Sequence, residues 1–180
     1  MRSSTYEGLF YQLAKSHELI RHQDDSPRFA RLIVSVDPLQ RQVDLHEMQT
    51  VLLGRYLKPG GGQQVLVLES LQTVYRDNTG DNYQRQRRGA FFILEKVTDD
   101  KTAWETLDRT EQTGEQLLAA VLHKFREDPR VRWEVGSINA DAVGPLGEAS
   151  NWYGTRFDFE FFTPATAALQ FNPAVFILPI

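Results

Sequence analysis

The chain contains no cysteine. That excludes disulfide staples, thiol nucleophiles, cysteine–zinc sites and iron–sulfur clusters. A chain of 180 residues needs none of these supports, because at this length folding hides roughly two-thirds or more of the unfolded surface. Histidine is also scarce: four residues, at positions 17, 22, 46 and 123, form no cluster with metal-ligand spacing. His46-Glu47 comes nearest to a zinc-binding helix, but Thr50 stands where the second histidine is needed. No GxSxG, GxGxxG or Walker sequence occurs, and no catalytic residue, metal or cofactor is predicted. No apolar run approaches the roughly 18 residues of a membrane span. Met1–Gly8 lacks the apolar core of a signal peptide, so the expectation is a cytoplasmic protein with no membrane partner. Nor is there a basic excess. Twenty Lys and Arg against 24 Asp and Glu leave a net charge of −4, which argues against nucleic acid as a partner.

What remains is an ordinary globular composition, 41% hydrophobic and 24% charged, with one domain as the default. Residues 4–22 predict a first helix: Tyr6, Leu9, Phe10, Leu13, His17 and Ile20 share a stripe, and Ser4 and Glu7 have capping-box spacing. Arg31–Val36 reads as a strand that Pro38 ends. Between Val43 and Leu57 the pattern is double: Leu45, Met48, Leu52 and Tyr56 fit a helical stripe, while Val51–Leu53 also suit a short strand. A short helix is favoured. Gly60–Gly62 precedes a strand rather than a helix and reads as a linker, not a phosphate cradle.

Gln64–Tyr75 predicts one long strand, and Arg76–Arg88 a long polar hairpin loop. The stretch Asp77–Asn82 is rich in oxygen ligands, yet Arg88 stands where a calcium loop needs its bidentate Glu. Arg85, Arg87 and Arg88 are candidates for gripping an acidic partner surface, being fork-shaped donors, although they would also serve to discourage edge pairing. Gly89–Val97 returns as the central strand.

Thr102 and Glu105 have capping-box spacing at the start of a second helix whose stripe takes in Trp104, Leu107, Leu118, Val121 and Phe125. Gly114 inside it predicts a close approach to the sheet, and Pro129 ends it. Val131–Ile138 alternates as a strand, Asn139–Gly154 is irregular, and Thr155–Phe162 alternates again. There Phe157, Phe159 and Phe161 face the core and Arg156, Asp158 and Glu160 face out. Asp158 and Glu160 lie about 7 Å apart at strand spacing, but alternating charge on an exposed strand is an ordinary solubilising device.

From Thr163 to Ile180 the chain has no charged residue and three prolines. A terminus this apolar predicts docking, on its own sheet or on a neighbouring subunit, and Phe171, Val175, Phe176, Ile177 and Leu178 are its candidate contact residues.

The expected fold is α+β: residues 1–163 form a domain with a single mixed or antiparallel sheet of about four to five strands, two main helices packed on one face and a long hairpin loop. Residues 164–180 form an extended C-terminal arm. This element order resembles the tail-terminator and tail-completion proteins of bacteriophages and contractile injection machines, and uncharacterised proteins of phage-like gene clusters. The stretches that carry the resemblance are Leu66–Glu69 through Arg76-Asp77-Asn78, Gly89–Leu94 and Asn151–Phe159. It implies a non-enzymatic structural role, a homo-oligomeric ring, commonly sixfold, that meets other tail or assembly proteins. An arm longer than that family's usual ending is a departure from it. Two other readings stand beside the ring: a monomeric or dimeric protein-binding adaptor, and a metal-dependent hydrolase or nuclease using Asp77, Asp81, Asp158 or Glu160.

Overall fold

The apolar run Ala90–Leu94 is buried at every position, as a strand covered on both faces should be. In a computed structural model, which describes residues 2–35, 37–77, 82–97, 102–146, 151–172 and 174, this run lies in the spine of a mixed sheet. The elements are α1 (Ser3–Ser16), β1 (Phe29–Leu32), α2 (Pro38–Glu47), a π-helix (Met48–Tyr56), β2 (Gln64–Glu69), β3 (Gln72–Asp77), β4 (Tyr83–Lys96), α3 (Ala103–Arg126), β5 (Arg132–Leu146), β6 (Trp152–Pro164) and α4 (Thr166–Leu169). The sheet runs β1-β2-β4-β6-β5, with β3 also paired to β4. Only β1 and β2 are parallel.

The described residues form six strands rather than four or five, because one expected strand is split, and a polar segment read as loop lengthens another. Arg85, Arg87 and Arg88 do not sit in a loop. They are strand residues, paired with Tyr75, Thr73 and Gln72 on one side and with Thr163, Phe161 and Glu160 on the other. The expected single strand 64–75 is two. Between the pairs Leu68↔Phe91 and Gln72↔Arg88 the chain carries one more residue than β4, which bends it and reverses the side-chain alternation. The supposedly irregular 139–154 is largely strand as well, since β5 resumes pairing with β6 after register shifts at Glu134/Asn139 and Val143/Leu146.

The two faces bury different sets. On one, Tyr6, Phe10 and Ala14 of α1 and Leu117, Val121 and Phe125 of α3 pack against Leu66, Phe91, Ile93, Phe157, Phe159 and Phe161. Each of the three β6 phenylalanines is at most 2% exposed and contributes roughly 1.5–3 kcal/mol by burial. The other face is not bare: Met48, Leu53 and Leu57 in and after the π-helix cover Val65, Val67, Phe92, Leu94 and Trp152.

Helix ends follow local chemistry unevenly. Thr102 and Glu105 form the reciprocal capping box, whereas α1 starts at Arg2 with no side-chain cap and stops at Ser16, well short of residue 22. Trp104 is 78% exposed and lies off the buried stripe of α3. Gly114 does bring α3 close to the sheet. A Cβ there would stand 2.6 Å from both Cδ2 and Cζ of Phe157. Among the described residues no helix is long and apolar enough to cross a membrane.

Candidate functional site

The edge strand β1 opens onto a groove of about 730 Å³. Leu66 N–H donates to Arg28 O and Ser70 N–H to Leu32 O, each at 2.8 Å. Because backbone groups alternate in direction along a strand, those of Phe29, Arg31 and Ile33 then aim away from β2, into the groove. One wall is α1, through Tyr6, Glu7 and Tyr11; the other is the π-helix, through Val51, Leu52 and Tyr56. Residues Leu52 to Leu57 close a bond five positions apart, the wide spacing that often accompanies a working surface. Ile33 is 83% exposed, Tyr56 49% and Val51 42%. Arg31 and Glu7 pair at 2.7 Å across the α1 side.

Histidines near this groove are structural. His22 Nδ1 accepts the Arg28 N–H at 3.1 Å, and burial lowers its pKa below 6.5, with Lys15 and Arg28 adding to the effect and Asp24 opposing it. His17 bonds Gln116 at 2.9 Å. No group of three His, Asp or Glu side chains among the described residues could hold a metal ion.

Two of the carboxylates considered for hydrolysis, Asp158 and Glu160, are tied up, while Asp77 is exposed on β3. Arg156 bonds Glu69 at 2.6 Å and Asp158 at 2.9 Å, and Asp158 also takes Arg88 at 2.9 Å. Glu160 accepts from Gln86 at 2.6 Å. Sequence reasoning assigned Arg156, Asp158 and Glu160 outward; Asp158 is instead only 4% exposed. Nothing in the strand alternation marked it, because its partner Arg88 lies 70 residues away and Arg156, the cation it shares, is held by Glu69 87 residues away. Asp81 lies outside the described residues.

The three candidate arginines divide. Arg88 points to the Asp158 face, while Arg85 and Arg87 share the face of Phe161 and Thr163. Arg85 donates to Pro164 O at 2.8 Å. Arg87 is 5% exposed; among the described residues its side chain makes no hydrogen bond and no ion pair, and its Nε is buried and orphaned. Burial and the Arg85 charge lower its pKa, against a weaker opposing pull from Tyr75. Three more orphaned polar atoms lie on the same face at this end of the sheet, Arg85 Nε, Thr163 Oγ1 and Trp133 Nε1, the last opposite Phe161 in the β5–β6 register, while Gln86 Oε1 is orphaned on the opposite face. All four on the Arg87 face can donate a hydrogen bond. The adjoining β3 exposes Val74 and Tyr75 by more than half.

The arm begins on its own domain. Ala165 N–H donates to Tyr83 O at 2.8 Å, Tyr83 N–H donates to Thr166 Oγ1 at 3.1 Å, and Ala165 is buried. Phe171 is 61% exposed; Val175, Phe176, Ile177 and Leu178 lie outside the described residues. No protein-family model matches the sequence, and no curated protein matches it.

Proposed function

We propose that the chain is a non-enzymatic assembly protein, a cytoplasmic homo-oligomer that forms a ring component of a phage-tail-like machine of the terminator or completion type. The observation that carries this reading is Arg87, a cation 5% exposed with no counter-charge among the described residues. A buried unpaired charge costs several kcal/mol, and one is retained where a partner completes it. With Arg85 on the same face it places two guanidinium groups at this end of the sheet, the chemistry that takes the carboxylates of another protein. Open edges at β1 and β3 add sites where further chain can pair. The ring reading rests on the element order, and a head-to-tail ring is the closed arrangement in which such a surface meets a different one on the neighbour.

The experiment is Arg87→Met, followed in two ways. Removing an unpaired buried charge raises the thermal stability of the separated subunit, while the mass by light scattering falls as the interface loses its donors. A variant that is less stable and assembles normally would assign Arg87 to the fold and remove this reading.

A further inference from the structure

We infer that the β1 groove takes the C-terminal arm of a neighbouring copy, with Val175–Leu178 added as a strand along the free edge of β1. The inference rests on the assembly reading above and names the contact that would build it. Phe29, Arg31 and Ile33 present outward N–H and C=O groups over a strand's length, flanked by the α1 and π-helix walls. An extended peptide pairs with such an edge through its backbone while alternate side chains fill the flanking hollows. Val175–Leu178 has the composition for it: four consecutive apolar residues, no charge, and Pro179 to end the pairing.

Chain length favours the neighbour over the same molecule. The arm leaves from Tyr83, six residues along β4 from Gly89, and Gly89 lies level with the Ile33 end of the groove by extension of the register. At ~3.4 Å per residue and ~4.8 Å per strand, an added strand outside β1 starts about 25 Å from Tyr83. From Ala165, bonded at Tyr83, α4 adds about 6 Å and the stretch from Leu169 to Phe176 at most about 25 Å, a reach shortened where Ala174 N–H donates to Asn172 Oδ1. An arm folding back would therefore have little slack at Phe176, and β3 stands on the straight path beside β4. An arm from an adjacent copy starts from a different point and need not cross β3.

The absence of cysteine makes the test clean. Ile33→Cys is mixed under oxidising conditions with each of V175C, F176C, I177C and L178C in the full chain; Ile33 is exposed enough to accept the change, and Tyr56→Cys serves as a second probe on the π-helix wall. The inference predicts a disulfide-linked pair of different chains, strong at alternate arm positions and absent when each variant is oxidised alone. Crosslinking within one chain in the double variants I33C/I177C or I33C/F176C, at single-chain mass, would overturn it. So would no crosslink from either probe while light scattering still shows an oligomer; that outcome leaves the assembly reading standing and removes the groove. A full chain that is monomeric overturns both.

Discussion

Gly8 and Gly114 sit inside α-helices, and the same substitution at each should move stability in opposite directions. Gly8 in α1 is exposed, and a Cβ there meets nothing within 4 Å. Gly8→Ala thus gains the helix preference of alanine, about 1 kcal/mol. Gly114 in α3 would make the same local gain, but its Cβ would collide with the Phe157 ring. That ring cannot give way easily: it stacks on Phe91 at 5.2 Å between centroids, and both are at most 2% exposed. Overpacking a closed core costs typically ~1–3 kcal/mol, and a collision this deep belongs at or beyond the upper end. The net for Gly114→Ala is a loss of about 2 kcal/mol. For a chain of this size 1 kcal/mol moves Tm by roughly 2–4 °C. Differential scanning calorimetry should therefore show Gly8→Ala melting ~2–4 °C higher and Gly114→Ala ~4–8 °C lower. A Gly114→Ala protein as stable as the parent would refute the close approach of α3 to β6.

Arg156→Ala leaves Glu69 and Asp158 buried without their shared cation; a loss of about 3–5 kcal/mol in urea unfolding is expected, and a loss under about 1 kcal/mol would mean that the network is not holding these charges. His22 has its pKa lowered in the fold. The unfolded chain therefore binds the proton more readily, so stability is full above pH 6.5 and falls as the pH drops through the folded value. His22→Asn, which retains an acceptor for the Arg28 N–H, should flatten the change in Tm between about pH 7.5 and 5.5 relative to the parent; an unchanged slope would locate the titration elsewhere.

The parts of the fold that could be read from the chain were those governed by local rules. Thr102 and Glu105 cap α3 through neighbours three residues apart, and Phe157, Phe159 and Phe161 alternate into the core because the strand period is two. Arg85 and Arg87 were hidden because their strand is imposed by pairing with Thr163 and Phe161, some 75 residues on, against a composition that favours a loop. The bulge before Gln72 reversed the faces of Val74 and Tyr75, which no alternation count can anticipate. As for the sites, the arginines drew notice as donors, but only the sheet separated Arg88, paired with Asp158, from the unpaired Arg87. The β1 groove had no signature of its own, since Tyr11, Ile33 and Tyr56 come from three segments that tertiary packing brings together.

The central claim is that this chain assembles with copies of itself through its arm. Light scattering on the full chain and on a chain ending at Leu169 tests it most directly. Assembly through the arm gives a mass several times 20.7 kDa for the first and a smaller assembly for the second, with the thermal transition of the domain retained. A full chain that remains at 20.7 kDa, or an oligomer of unchanged mass after the arm is removed, would contradict it.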